Sequence, residues 1–146
     1  MNEGSGHEAA SDAPSRWVVR FAPLVASGAR VLDLASGRGR HARFFAARGA
    51  RVVAVHYLHR ALFPLLLAAL AADGVVLYET FAAGNAAYGR PSNPDFLLTP
   101  GELLEFARST LTVVAFEQGV VDDDRPAVIQ RLAAVGRGRP WPPPLV

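Results

Sequence analysis

Cysteine and lysine are both missing from this chain of 146 residues. Without cysteine there is no disulfide, no thiolate nucleophile and no zinc–thiolate site. All 15 basic residues are arginines, and they are scattered without a run of five or six, so the net charge of +2 does not indicate a nucleic-acid partner. The longest apolar run, residues 61–72, is too short to cross a bilayer, and we expect no membrane partner.

The composition predicts a packed domain between a polar N-terminal tail and a proline-rich C-terminal tail. The length predicts a single domain, which we place at residues 14–136, and hydrophobic residues at 51% with charged residues at 19% are enough for a packed core. The order of strands and helices described below predicts that this domain is α/β. Residues 1–13 are polar and lack the apolar core of a signal peptide, so we expect a disordered tail and a cytoplasmic protein. The proline-rich residues 137–146 predict an extended tail.

One stretch in the first third of the chain combines a strand, a glycine turn and a helix. It predicts a buried strand at Arg30–Leu34, a helix over residues 40–48, and a second strand at Arg51–Val55 that is parallel to the first. Gly37 and Gly39 allow the backbone to bend sharply and to approach a ligand. The free N–H groups of the following helix point toward the same place. This order predicts a nucleotide-type pocket at the carboxyl edge of a parallel sheet.

The middle of the chain predicts an unusually apolar helix. Residues 61–72 are apolar on nearly every helical face, so we expect this helix to be largely buried. A third strand follows over residues 74–81, with Glu79 near its carboxyl end, where α/β proteins place functional groups. Residues 82–98 are expected to form a long loop, which is either a lid or binding loop or a tolerated insertion without such a role.

The last third of the chain predicts one helix and two strands. Thr99, Pro100 and Glu102 are typical of a capped helix start, and the helix extends to about residue 109. Residues 111–121 and 126–135 are expected to form an antiparallel pair of strands.

Residues 37–42 also satisfy the G-x-G-x-x-A form of the dinucleotide fingerprint. Two features argue against NAD. Asp33 lies inside the first strand, where dinucleotide sites carry an apolar residue, and the second strand ends at Val55-His56 without the expected ribose-binding acid. A minimal dinucleotide-binding domain is therefore the third and last of the hypotheses for this chain.

Two longer blocks resemble a known family. "VLDLASGRGRHARFFAARGARVVAV" closely resembles the first motif of class I S-adenosylmethionine-dependent methyltransferases. "YLHRALFPLLLAALAADGVVLYETFAAGNAAYGRPSNPDFLLTPGELLEFA" looks like the second half of small bacterial methyltransferases of the tellurite-resistance type. The resemblance implies S-adenosylmethionine as cofactor and a small-molecule methyl acceptor. It also implies a Rossmann-like sheet of about five strands, mostly parallel with an antiparallel C-terminal strand, and helices on both faces.

The resemblance implies a cofactor-binding set in two stretches of chain. Asp33 would hold the methionine amino group of the cofactor; the alternative is that its carboxylate only caps the glycine turn through backbone N–H groups. The turn after the first strand would line the methionine and ribose portions, through Ala35, Ser36, Gly37 and Gly39. Arg51–Val55 would take the place of either the second or the fourth strand of the family. The segment after it, at the position that follows the fourth strand, would wall the methyl-donating side through Tyr57, Leu58 and His59.

No catalytic acid–base pair is predicted, because the sulfonium is already a strong electrophile and transfer depends on in-line positioning. No metal site is predicted either, because His56 and His59, three positions apart, have no carboxylate near them in the sequence.

The chain departs from the family in one respect. The family has a helix, a strand, another helix and a fourth strand after its second strand, whereas here Val55 leads directly into His56. On ordinary element lengths about 45 residues are missing, including the ribose acid and the adenine contacts. The loss would leave apolar surface that a partner chain could cover, so a non-catalytic interaction module that forms a homo-oligomer is the second hypothesis.

Overall fold

A computed structural model describes residues 13–34, 39–49, 51–55, 60–122 and 125–143, with the backbone alone for residues 34 and 51–55. The chain divides into two compact units. The first contains residues 1–19 and 26–58, and the second contains residues 20–25 and 59–146. The division falls within the first helix, α1 (Arg16–Phe21), which continues into a 3-10 turn at Ala22–Leu24.

The first unit contains a β-α-β arrangement. Strands β1 (Arg30–Leu34) and β2 (Arg51–Val55) are parallel and in register, from Arg30 opposite Arg51 to Leu34 opposite Val55. Between them in the chain lies helix α2 (Arg40–Ala47), which contacts both strands and buries Phe45. The predicted strands and their parallel pairing are confirmed, and the helix ends one residue earlier than predicted.

The second unit is built on a three-stranded antiparallel sheet. Its strands are β3 (Val75–Phe81), β4 (Leu111–Val121) and β5 (Ala127–Gly136), and the spatial order is β3-β5-β4. The final strand β5 is therefore central and pairs antiparallel with both neighbours. The β4–β5 pair is confirmed as predicted, with a register shift between Val113 and Ala115.

The core of the second unit lies between this sheet and two helices, α3 (Phe63–Ala69) and α4 (Glu102–Arg108). Its buried members are apolar side chains from α4, from the loop ends and from the sheet: Ala82, Leu98, Leu103, Ala107, Leu111, Leu132 and Ala134. Partly buried aromatic rings extend this core, and the ring of Phe63 lies edge-on to those of Tyr78 and Phe106.

The fold class expected from the sequence, one mostly parallel sheet of about five strands, is wrong. The described strands form a two-stranded parallel sheet and a separate three-stranded antiparallel sheet. The apolar run of β3 is typical of a strand buried in a parallel sheet. In the structure β3 pairs only with β5 among the described strands, so it is an edge strand. Its side chains are half-buried or exposed, which is typical of such a position.

The apolar helix predicted over residues 61–72 is shorter and less buried than expected. The segment begins as a 3-10 turn at Arg60–Leu62 and becomes α-helical from Phe63 to Ala69. Pro64 lies in the first turn of α3, where its missing N–H costs no helical hydrogen bond. No residue of α3 is buried, and Leu65 is 64% exposed. The expectation of a largely buried helix is therefore wrong.

The described residues contain neither a helix that could cross a membrane nor a cluster of side chains that could bind a metal ion. Across those ranges, no helix combines the length and the apolar character needed to cross a membrane. The same ranges hold no group of three or more His, Cys, Asp or Glu side chains that could bind a metal ion.

Candidate functional site at the end of β1

Asp33 lies near the carboxyl end of β1, directly opposite Ala54 of β2, and only 8% of it is exposed. Its Oδ2 atom accepts a hydrogen bond from the backbone N–H of Ala42 at 3.0 Å. Ala42 belongs to the first turn of α2, whose free N–H groups need acceptors. A carboxylate is favourable there because the N-terminus of a helix carries partial positive charge.

Gly39 explains why Asp33 serves as the cap of α2. Gly39 occupies the N-cap position with φ 72°, a left-handed conformation that L side chains rarely adopt, and it has no side chain to cap the helix. Asp33 therefore supplies from the strand the acceptor that the N-cap residue lacks. The result is a nearly buried carboxylate fixed beside a helix start, at the edge of a parallel sheet where ligands bind in α/β proteins.

The structure brings together two members of the predicted cofactor-binding set, Asp33 and Gly39. The other members, which are Ala35, Ser36, Gly37, Tyr57, Leu58 and His59, lie outside the described residues. The role of the complete set stays a prediction.

His41 on the first turn of α2 links this helix to the N-terminal segment. Its Nε2 atom accepts a hydrogen bond from the backbone N–H of Ser15 at 3.1 Å. A ring nitrogen that accepts must be unprotonated, so this contact requires the neutral imidazole with its proton on Nδ1.

Glu79, predicted as a functional group at the end of the third strand, is part of a cross-strand charge network. Arg131 of β5 lies directly opposite Glu79 of β3 and Glu117 of β4. The Arg131 guanidinium donates to Glu79 at 2.7 Å and to Glu117 at 3.4 Å. The geometry indicates a bridge that ties the three strands together on one face of the sheet.

Arg60 makes four hydrogen bonds in the second unit, and the sequence predicted none of them. Its Nε donates to Glu102 Oε1 at 2.5 Å and its Nη2 donates to Glu102 Oε2 at 3.1 Å. The same guanidinium donates to the backbone carbonyls of Asp95 and Leu97, both at 2.7 Å. One side chain therefore joins the start of the 3-10 turn before α3, the end of the long loop and the start of α4.

The electrostatics of this contact favour both charged forms. The hydrogen bond from Arg60 holds the pKa of Glu102 below its usual range, and burial opposes that shift only in part. The same bond raises the pKa of Arg60. Glu102 also accepts from the N–H of Thr99 at 2.8 Å, which is one half of the predicted capping box.

Tyr78 lies in the aromatic part of the same core. Burial raises its pKa, and the negative charge of Glu102 adds to that shift. Among buried side-chain polar atoms of the described residues, the Tyr78 hydroxyl is the one without a hydrogen-bond partner.

Two buried amides, which sequence reasoning also missed, fix the long loop and α4 to the sheet. Asn85 is 1% exposed; its Oδ1 accepts from Val128 N–H and its Nδ2 donates to the carbonyl of Pro91. Gln130 is fully buried; its Oε1 accepts from Leu103 N–H and its Nε2 donates to the carbonyl of Thr99. These partners are 27 to 43 residues away along the chain for three of the four bonds, so no local pattern indicates them.

The chain is similar to known proteins in its structure, whereas its sequence gives no match. No family model and no curated protein matches the chain. Among solved structures, it is similar to the Burkholderia thailandensis 1,6-didemethyltoxoflavin-N1-methyltransferase, whose crystal structure contains 1,6-didemethyltoxoflavin and S-adenosylhomocysteine. The sequences are 19% identical, the match covers 82% of this chain and 75% of that chain, and the TM-score is 0.56.

At this identity the likeness shows a shared fold. This likeness supports the resemblance to methyltransferases at the level of the fold. It gives no support to the narrower resemblance to the tellurite-resistance type.

Proposed function

We propose that this chain is a methyltransferase-like protein that binds S-adenosylmethionine beside Asp33 and transfers its methyl group to a small-molecule acceptor. The observation that carries the proposal is the fold likeness, over 82% of the chain, to a methyltransferase crystallised with S-adenosylhomocysteine. The carboxylate at the carboxyl end of β1 supports it, because that position suits the amino group of a bound methionine moiety.

The residues present fit such a cofactor at this end of the site. Asp33 holds Ala42 with Oδ2, and a carboxylate has further lone pairs that can accept from a ligand ammonium. Gly39 presents no side chain at the helix start, which leaves the backbone open to close approach.

The cofactor supplies a methyl group on a positively charged sulfur, which is a strong electrophile without protein assistance. The task of the chain is then to bind, orient and exclude water, which agrees with a sequence in which no catalytic pair is predicted.

Isothermal titration calorimetry with S-adenosylhomocysteine tests the proposal. We expect wild type to bind and Asp33→Asn to bind about tenfold more weakly or worse, because the charge-assisted bond to the ligand amino group is lost. The side-chain oxygen of the introduced amide can still accept from the Ala42 N–H, so α2 keeps its cap in this variant.

Asp73→Asn is the matched control, since Asp73 is exposed and lies outside the proposed site. No binding of S-adenosylhomocysteine by wild type at millimolar concentration would refute the proposal. Binding of NAD in its place would favour the dinucleotide alternative.

A second candidate is an interaction module that forms a homo-oligomer. The observation that favours it is α3, which buries none of its residues and exposes Leu65 by 64%. Sedimentation velocity at high concentration tests it. Association that Leu65→Glu abolishes would support this candidate, and a monomer at every concentration would remove it.

A further inference from the structure

The start of helix α1 is fixed by three hydrogen bonds of Ser15. Its Oγ accepts from the N–H of Val18 at 3.2 Å, and its carbonyl accepts from the N–H of Val19 at 3.0 Å. Ser15 is therefore the N-cap of α1. The third bond joins it to another helix, because the N–H of Ser15 donates to Nε2 of His41 at 3.1 Å, across 26 positions of sequence.

The contact between Ser15 and His41 lies at the helix end that carries the candidate site. His41 belongs to the first turn of α2, and the next residue, Ala42, donates its N–H to Oδ2 of Asp33 at 3.0 Å. One helical turn therefore holds the start of α1 through a side chain and the carboxylate of the candidate site through its backbone. All four residues belong to the first unit.

This contact can form with only one charge state of the histidine. A backbone N–H donates and cannot accept, so Nε2 of His41 has to offer a lone pair. Both ring nitrogens of a protonated imidazole are donors, so protonation would place two N–H groups against each other. Histidine changes its charge between about pH 5 and pH 8. The bond is therefore lost as the pH falls through that range.

Charged residues border the contact on each of the elements involved. Arg16 is the first residue of α1, Arg40 and Arg43 belong to α2, and Asp33 lies on β1. Positive groups, including the partial charge of a helix start, favour a neutral ring, whereas a carboxylate favours a charged one. Their balance sets the pH at which the bond is lost. It does not change the direction of the effect, because only the neutral ring can accept.

We infer that the contact between Ser15 and His41 is a pH-sensitive switch, which holds the start of α1 on the first turn of α2 while the ring is neutral and releases it on protonation. The switch itself rests on the geometry of this contact. Its consequence for binding rests in addition on the proposed function. A released segment beside Asp33 has to be ordered again when a ligand binds there, and this ordering weakens the affinity.

Nitrogen-15 NMR of the histidine side chains, in the full chain without ligand, tests the state of the ring. At about pH 8 we expect the neutral ring of His41 to carry its proton on Nδ1, because Nε2 accepts from Ser15. A neutral ring with its proton on Nε2 could not make this contact and would overturn the inference.

Amide hydrogen exchange tests whether protonation releases Ser15. In wild type, after correction for the intrinsic effect of pH, we expect protection of the Ser15 amide to fall about tenfold between pH 8 and pH 5. His41→Gln is the matched variant, since its side-chain oxygen can accept at both pH values and does not titrate. Its protection should be equal at both. His41→Phe has no acceptor and should give low protection at both.

His7→Gln, which removes another histidine of the N-terminal part, is the control and should respond to pH as wild type does. Three outcomes would overturn the inference: equal protection of Ser15 in wild type at both pH values, a pH response that His41→Gln retains, and high protection in His41→Phe.

Calorimetry with S-adenosylhomocysteine at the same two pH values tests the consequence for binding. We expect the Kd of wild type to rise several-fold more on acidification than the Kd of His41→Gln. The comparison cancels any protonation of the ligand or of Asp33, because both chains share these groups. An equal rise in the two chains would refute the effect of the switch on binding.

The two proposals fail separately. If wild type does not bind S-adenosylhomocysteine at about pH 8, the proposed function fails, while the ligand-free NMR and exchange results still decide the switch. If wild type binds but the protection of Ser15 does not depend on the charge of His41, the switch alone is refuted.

Discussion

At the scale of single residues, the buried hydroxyl of Tyr78 lowers the stability of the fold, and one substitution should remove this effect. Its hydroxyl is buried without a partner, and its ring lies against those of Phe63 and Phe106. An unsatisfied buried hydroxyl is destabilising, so we expect Tyr78→Phe to raise the free energy of unfolding by about 1 kcal/mol in urea denaturation. Tyr88→Phe, at a ring that is 49% exposed, should change nothing. A loss of stability in Tyr78→Phe would mean that the hydroxyl has a partner in solution.

Glu102 gives the chain a predictable response to acid. Its pKa is lowered in the folded state, chiefly by the hydrogen bond from Arg60, so the unfolded chain binds a proton more readily. The stabilisation is complete above the ordinary glutamate pKa of about 4.3 and is lost as the pH falls through the lower folded value. We expect the stability difference between wild type and Glu102→Gln to shrink across that window in urea melts. Glu105→Gln is the control, because it removes an exposed pair with Arg108 and should change the free energy of unfolding little.

Residue roles could be predicted where the partner is near in the sequence. Glu102 and Thr99 are recognisable as a helix start because three positions separate them. The cap that Asp33 forms on α2 also fits this rule, because its partner Ala42 lies nine residues further on. The role of Asp33 toward a cofactor stays a prediction. The role of Arg60 is not recognisable, since its partners lie 35 to 42 residues further on and only the fold brings them together. The hydrogen bonds of Asn85 and Gln130 could not be predicted for the same reason, because three of their four partners lie 27 to 43 residues away in the sequence.

At the scale of elements, two of the three leucines of α3 lie in opposite environments. Leu67 packs against the core of the second unit, whereas Leu65 is 64% exposed. We expect Leu67→Ala to cost about 1 to 2 kcal/mol, because it removes apolar contact area from a partly buried position. Leu65→Ala should stay within about 0.5 kcal/mol of wild type. Equal losses in urea denaturation would show that both faces of α3 are covered in solution.

The strands could be located from the sequence, but not all of their partners could. Apolar runs bounded by glycine and polar residues indicate Arg30–Leu34 and Arg51–Val55 with the correct limits. The short connection between β4 and β5 makes their antiparallel pairing predictable, because a parallel pair needs a long crossover. The partner of β3 was not predictable, because β4 and a helix separate it from β5 in the sequence. Pattern alone does not distinguish an apolar edge strand from a buried parallel one.

At the scale of the whole molecule, the family resemblance implies an acid at the end of β2 that this chain lacks. His56 follows Val55 where that acid would bind the ribose hydroxyls. If the cofactor binds as proposed, we expect His56→Asp to strengthen the binding of S-adenosylhomocysteine several-fold in calorimetry, because a carboxylate accepts strongly from hydroxyl donors. His56→Asn, which adds no charge, is the control. No gain for His56→Asp would count against the proposed position of the ribose.

The order β3-β5-β4 also governs how the second unit is made during synthesis. Both outer strands depend for their backbone pairing on β5, which is the last of the three to leave the ribosome. Before residues 127–136 have emerged, the segments of β3 and β4 lack the strand with which they pair in the structure, and unpaired strand edges invite association with other chains. The backbone pairing of this sheet can therefore be completed only after β5 has emerged. Nascent chains stalled before residue 127 should therefore be the forms of this protein that most need a chaperone.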